Sequence, residues 1–409
     1  MGHSATESMV QGEVLPGWEP VREAFRNNFR AGLEIGAACA VYHQGEKVVD
    51  LWGGWRDPAT RSPWKEDTLA TVFSTTKGMS SLAVAVAHSR GLFDYDQKVA
   101  AYWPEFAQNG KQDVTVRQLL SHQAGLCAID TPLDLAALGD PDRVAAALAA
   151  QKPAWQPGQH HGYHGISLGW YESELIRRVD PQHRTIGRYF ADEVARPLGL
   201  EFYIGLPDSV SDERFALIQA PAYKLRMLLH LGKLPLHFVL GILNPRSLTA
   251  RTFANPQVLG GVTSYNLREM RRIELPASNG TGQARSIAKA YGEFATGGRK
   301  LGIKPETLAA LSRPTPAPPG GAMDLVMGVE SVFSLGFSKP SKHFNYASAS
   351  AFGTPGAGGS FGFADPELGL GFGYVMNRMG FYIHSDPREK ALRDAALDCA
   401  RRAQPTRGA

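Results

Sequence analysis

The chain has 409 residues, 43% hydrophobic and 20% charged, which describes a globular protein with more chain than one ordinary core holds. A formal net charge of +4, with no long basic run and no aromatic residues interleaved among basic ones, argues against nucleic acid as a partner. No apolar stretch reaches the roughly 18 residues that a membrane span needs; the nearest, Leu225 to Leu243, is broken by Arg226, His230, Lys233, Pro235 and His237.

In chain order, Met1 to Leu15 has neither the basic nor the apolar region of a signal peptide. Cys39, Cys127 and Cys399 are far apart and odd in number, and read as free thiols in a reducing compartment, so the expected location is the cytoplasm. Glu19 to Ala31 has helical periodicity through Val21, Phe25 and Phe29. Gly36 to Tyr42 and Lys47 to Trp52, joined by His43-Gln44-Gly45-Glu46, read as an antiparallel hairpin. The extended Leu69 to Phe73 then leads into Ser80 to Ala87, a run of small and apolar residues that reads as a buried helix stopped near Gly91.

From Asp94 to about Ala277 the pattern is helix and loop. Thr115 to Ser121 reads as a capped helix, Asp142 to Gln151 as an alanine-rich one, and Ile166 to Val179 as a third, entered from the turn Trp155-Gln156-Pro157-Gly158. Pro221 to Asn244 is apolar on more than one side and reads as two short helices or a lid over a hydrophobic pocket. Ser286 to Gly297 is helical, Pro314 to Gly321 is a linker, and the strand period returns in Asp324 to Phe337, Gly359 to Ala364 and Leu370 to Asn377 before a final helix, Asp386 to Ala403. Strands at both ends with helices between them predict one sheet built from both termini (residues 1–73 and 281–409) and an inserted helical lobe (74–280), with 221–244 as its possible lid.

Residues three apart on a helix face one another, so Ser74 and Lys77 can bring hydroxyl and amine into contact, and a desolvated lysine can activate a serine as nucleophile. Ser-x-x-Lys occurs three times. Ser62/Lys65 lies in a solvated turn and Ser286/Lys289 on an ordinary helix face; only Ser74/Lys77 opens a buried helix. Gly-x-Ser-x-Gly occurs twice, around Ser167 and Ser360, but a nucleophile elbow needs a strand before the serine and a helix after it. The residues before Ser167 are a loop, and those after Ser360 enter a strand and an Asp-Pro turn. His160, His161 and His164 lack the spacing and supporting carboxylate of a zinc site and read as loop histidines, with His164 a candidate pocket residue.

Ser74-Thr75-Thr76-Lys77, Tyr163-His164-Gly165 and Phe352 to Gly359 occur in the order of the serine β-lactamase and penicillin-binding-protein-like superfamily, and the chain resembles its esterase branch, the family VIII carboxylesterases, from about Gly32 to Met379. The resemblance implies an α+β, serine-β-lactamase-like fold: a central antiparallel sheet flanked by helices, with the active site against a helical lobe. It also implies a cofactor-free enzyme with neither metal nor membrane insertion, acting on a small-molecule ester. In it Ser74 is the acylated nucleophile, Lys77 its proton acceptor or charge partner, and Tyr163, as phenolate or through a proton shared with the lysine, general base and then acid to the leaving group. The backbone N–H groups of Ser74 and Ala357 form the oxyanion hole, and His164, Thr354 and Gly356 contact substrate. Gly165 stands where true β-lactamases carry asparagine, and Thr354-Pro355-Gly356 replaces Lys-Thr-Gly. The cation that would pair with a β-lactam or peptide carboxylate is therefore missing, which favours uncharged esters. An acyltransferase or weak β-lactamase using the same site, and a catalytically silent binding relative, are the alternatives.

Overall fold

A computed structural model describes residues 9–220, 234–256 and 261–403. Its strands are β1 (Val10–Val14), β2 (Gly36–His43), β3 (Glu46–Asp57), β4 (Ser62–Pro63), β5 (Ala70–Thr71), β6 (Phe202–Tyr203), β7 (Thr281–Gly282), β8 (Phe333–Ser334), β9 (Phe337–Ser338), β10 (Phe352–Pro355), β11 (Phe361–Asp365) and β12 (Leu370–Met376). The main sheet runs β1-β3-β2-β12-β11-β10-β9-β8, with β4 paired to β3 off that path, and every pairing is antiparallel. The expected hairpin forms as β2 and β3. It joins the C-terminal strands where β2 meets β12, with Gly373 opposite Ala40 and Tyr374 opposite Cys39, so one sheet is indeed made from both ends of the chain.

Side chains alternate faces along a strand, and β12 shows what covers each side. At Gly373 a Cβ would meet the carbonyl of Ala284 at 2.4 Å, so the Ala284–Ala295 helix lies on that face. The next residue, Tyr374, points the other way and donates to Glu34 Oε1 at 2.5 Å. Helices Glu19–Arg30 and Pro387–Ala403 cover that second face, joined where Asn28 donates to the Arg388 carbonyl at 3.1 Å. The first interface is so close that a Cβ on Gly371 would sit 2.2 Å from Gly292 N and 2.3 Å from Ala288 O. Gly371→Val is therefore expected to cost about 3 kcal/mol or more through overpacking, read as a lowered urea midpoint, while Val375→Ile, in the same strand, costs less.

The Thr75–Ser89 helix is the centre of the molecule. All of its residues except His88 are buried, and its small side chains fit between the sheet and helices Ser167–Val179 and Ile186–Phe190. That is why its sequence shows no polar stripe. β5 carries the chain into it and pairs with β7, which pairs with β6 in a second, three-stranded sheet.

Four expectations need correction or completion. β1 was not foreseen, because Val10-Gln11-Gly12-Glu13-Val14 has a single clean alternation interrupted by Gly12 at φ 98°. The three-stranded sheet was also missed, since its strands have two residues each. Residues 324–337 are not one strand: only β8 and the start of β9 lie there, and Asp324 bends the segment by accepting the N–H groups of Val326 and Met327 on its own side chain. Of the expected lid, 221–233 lies outside the described residues, and Leu236–Leu243 is a helix. Among the described residues no helix is long and apolar enough to cross a membrane.

Candidate active site

The site begins with a strained residue. Phe73 has φ 47°, a left-handed conformation unusual for a bulky side chain, and it turns the chain from β5 into the helix so that Ser74 is half-buried at its start. Phe73 is held there by the edge of Tyr265, centroids 5.5 Å apart. Ser74 makes no side-chain cap bond to its helix, so its hydroxyl is not spent on capping. One turn on, Lys77 is completely buried and its Nζ donates to Ser74 Oγ at 3.1 Å and to the Ala277 carbonyl at 2.9 Å. Burial lowers the Lys77 amine to about 7, and the buried Glu172 carboxyl partly offsets this.

Tyr163 closes the triangle. Lys77 Nζ lies 4.8 Å from its ring centroid. Burial raises the Tyr163 phenol well above its ordinary value, and contact with the Ser74 hydroxyl partly offsets the rise. The structure thus brings Ser74 and Lys77, from the start of one helix, together with Tyr163 from a separate loop, as the motif order implied.

The end of β10 lies directly on the Ser74 turn. A Cβ on Gly356 would meet Ser360 Oγ at 2.2 Å and Val72 O at 2.4 Å, so glycine is required for the approach. Ser360 Oγ donates to the Val72 carbonyl at 2.7 Å and lies 3.1 Å from Thr75 Oγ1, stapling strand to turn. Neither the N–H of Ser74 nor that of Ala357 is taken by another described residue, and both residues line the same cavity. Behind Ala357, Arg388 donates to the Gly358 carbonyl at 2.5 Å and to Asp386 at 2.9 Å, which fixes the loop from below.

The remaining expected residues fall out differently. Thr354 lines the cavity but is only 3% exposed, with its hydroxyl buried beside that of Tyr291. His164 stands behind the site rather than in it: it is fully buried, its Nε2 accepts from the Leu126 N–H at 3.0 Å and its Nδ1 donates to the Gly162 carbonyl at 2.8 Å. Burial lowers it to about 4, consistent with a neutral ring whose two nitrogens serve the backbone. His161 likewise bonds the Ala322 carbonyl at 2.8 Å, and among the described residues no His, Cys, Asp and Glu cluster suits a metal. The rival serines are occupied, Ser167 donating to the Leu126 carbonyl at 2.7 Å and Ser360 to Val72. In the other Ser-x-x-Lys matches, Ser286 Oγ accepts from Glu201 N–H at 2.9 Å, and Lys65 is exposed.

Two carboxylates escaped the sequence reading. Glu172 is fully buried, accepts from Ser81 at 2.6 Å, and burial lifts it to about 8. It stands on the apolar face of its helix with Leu168, Leu175 and Ile176, and an acid at a core position is a signal legible in sequence. Asp324, which accepts the Tyr163 N–H, has no such signal.

In front of the serine opens a cavity of about 490 Å³, within the usual range of small-molecule sites. Its walls include Phe238 and Ile242 from the Leu236–Leu243 helix, with Phe253, Phe333, Phe344 and Met379. Lys339 also borders it, but this lysine is buried and its Nζ is committed to the Ser312 and Ser350 carbonyls at 2.7 and 3.0 Å.

This geometry, a serine beside a buried lysine and a tyrosine before an apolar cavity, is that of a serine hydrolase of the β-lactamase fold. The family model described as Beta-lactamase matches residues 25–396, and the chain belongs to that family. It is 33% identical over 385 residues to the Esterase/beta-lactamase LipL of Mycobacterium tuberculosis, covering 90% of this chain and 83% of that protein. The crystal structure of a family VIII carboxylesterase superposes with a TM-score of 0.83 at 39% identity, covering 95% of this chain and 99% of that one. A penicillin-binding-protein homologue from Caulobacter crescentus gives the same TM-score and coverage at 38% identity.

Proposed function

We propose that this protein is a serine carboxylesterase that cleaves uncharged esters of small to medium acyl chains through an acyl-enzyme on Ser74. The observation that carries this reading is the fully buried Lys77 amine 3.1 Å from Ser74 Oγ at the floor of an apolar cavity. A neutral Lys77, alone or through Tyr163, takes the Ser74 proton as Oγ attacks the ester carbonyl. The carbonyl oxygen becomes an oxyanion facing the Ser74 and Ala357 N–H groups. When the C–O bond to the leaving alcohol breaks, Tyr163 passes the proton to the departing oxygen. Water then repeats the sequence on the acyl-enzyme, releasing the carboxylic acid and free Ser74.

Esters are favoured over charged acyl donors because Thr354 supplies no cation and the Lys339 ammonium is already bound to two carbonyls. The relatives whose printed names include esterase or carboxylesterase point the same way. We place the enzyme in the cytoplasm, where its three buried free cysteines would stay reduced.

β-Lactam opening is the second reading, since the printed name of the mycobacterial relative joins both activities. The test is intact-protein mass after mixing with p-nitrophenyl butyrate, with peptide mapping of the adduct, beside nitrocefin turnover. The expected result is a butyryl group on Ser74 and a kcat/KM for nitrocefin lower by roughly ten- to a hundredfold or more, the value of one missing charged hydrogen bond. An adduct elsewhere, or nitrocefin as the better substrate, would overturn the ester reading.

A further inference from the structure

Tyr163 stands in irregular backbone between the turn at 156–159 and the Ser167–Val179 helix, and neither element by itself fixes it against Ser74. Its neighbours are held by His122, whose carbonyl accepts the Gly162 N–H at 3.1 Å and whose Nδ1 accepts the His164 N–H at 3.0 Å; its own N–H is held from 161 residues away, donating to Asp324 Oδ1 at 3.1 Å. The same oxygen accepts the N–H groups of Val326 and Met327, each at 2.9 Å. Alongside, the Leu325 N–H donates to the His161 carbonyl at 3.0 Å, so the two loops are laced together at His161 and at Tyr163.

Asp324 is fully buried, and its second oxygen, Oδ2, has no hydrogen-bond partner among the described residues. A buried polar atom left without a partner is costly, and such atoms collect where a site imposes them. The segment that Asp324 organises continues into Met327, Val329 and Ser331, which line the substrate cavity. One side chain therefore ties the Tyr163 loop to the cavity wall.

We propose that Asp324 is the positioning residue that holds Tyr163 against Ser74 and makes the proton-transfer group and the substrate wall a single unit. This rests on the Ser74–Lys77–Tyr163 reading given above. The need is for an acceptor, not a charge: three N–H groups converge on one oxygen. Asparagine keeps that oxygen and puts its amide where the unpartnered Oδ2 lies, whereas alanine leaves all three donors unpaired in a buried place.

The test compares Asp324→Asn and Asp324→Ala, alone and in a Tyr163→Phe background, by steady-state hydrolysis of p-nitrophenyl butyrate and by the rate of Ser74 labelling with a fluorophosphonate probe followed by intact mass. Asp324→Ala is expected to lose about a hundredfold in kcat and in labelling rate, the scale of a 1 Å misplacement, with KM within about threefold of wild type. Asp324→Asn is expected to return to within about fivefold of wild type. In Tyr163→Phe, Asp324→Ala is expected to add no further loss, because residues acting through one another are not additive. If the alanine protein does not fold, Asp324→Ser, whose hydroxyl falls short of Tyr163, takes its place. Equal losses in the asparagine and truncated variants, full activity in both, or an additive loss in the Tyr163→Phe background would overturn the proposal. Wild type that hydrolyses the ester without labelling at Ser74 would instead sink the reading on which it rests.

Discussion

Ser74→Ala is expected to lower kcat for ester hydrolysis by about 10⁴-fold or more, as removal of a serine nucleophile does in other acyl-enzymes, and to melt close to wild type. The two halves of the prediction come from separate observations. The hydroxyl has Lys77 Nζ 3.1 Å away and no cap bond to its own helix, so its deletion removes the attacking atom without opening the helix. The turn that presents it is held by other groups: the Thr76 hydroxyl on the Phe73 carbonyl at 2.5 Å, and Ser360 on Val72. The serines of the two Gly-x-Ser-x-Gly matches cannot substitute, since both are buried and donate to carbonyls. Retained hydrolysis, with butyrate still attached to the mutant protein, would place the nucleophile elsewhere. A melting point lowered by ten degrees or so would instead make Ser74 a structural cap.

What could be read from the chain was whatever has a local cause. The Thr75–Ser89 helix announces itself because helix burial on all sides demands small and apolar residues in every register, and Lys77 is conspicuous as the one cation among them. The β2–β3 hairpin was legible from its alternation and its glycine turn. The Thr115 cap likewise follows from a four-residue pattern: Thr115 and Gln118 exchange the two bonds of a capping box. What could not be read has its cause far off in sequence. The shape of 324–332 is imposed by an aspartate whose third donor is 161 residues upstream, so the apolar run Leu325-Val326-Met327 looked like a strand. His164 sits beside Tyr163 in sequence and was expected in the pocket. Only the tertiary fold shows that its ring reaches back to Leu126. Thr354 faces the serine helix along β10, but close packing against Tyr291 turns its hydroxyl inward. Motif order thus picked out Ser74, Lys77 and Tyr163, which the fold brings together, while the groups around them required the assembled packing.

Lys77→Met and Lys77→Arg are both expected to lose about 10²- to 10⁴-fold in the rate of Ser74 acylation, the usual value of positioned proton transfer. Methionine removes the base; arginine keeps a cation that cannot give up its proton near neutral pH. In wild type the amine must be neutral to act, and burial brings it to about 7. The acylation rate is therefore expected to rise with pH through about 7, and the lysine variants to lack that rise. The same shift has a consequence for stability. The amine titrates at 10.5 when ordinary and at about 7 in the fold, so folding must expel a proton between those values. The cost is absent above 10.5, grows as pH falls, and is complete below about 7. Glu172 contributes with the opposite slope: its carboxyl, raised from 4.5 to about 8, favours the fold fully below 4.5 and loses that contribution as pH rises through 8. Lys77→Met removes the first contribution and also the charge that holds Glu172 down, so that burial raises Glu172 further; both changes favour the variant more at low pH, and its melting point relative to wild type is expected to be highest near pH 6 and to fall toward pH 9. Differential scanning calorimetry of the two proteins across that range reads it directly. A constant difference, together with an acylation rate that does not change between pH 6 and 8, would mean that Lys77 keeps its proton in the fold, leaving Tyr163 as the only available base.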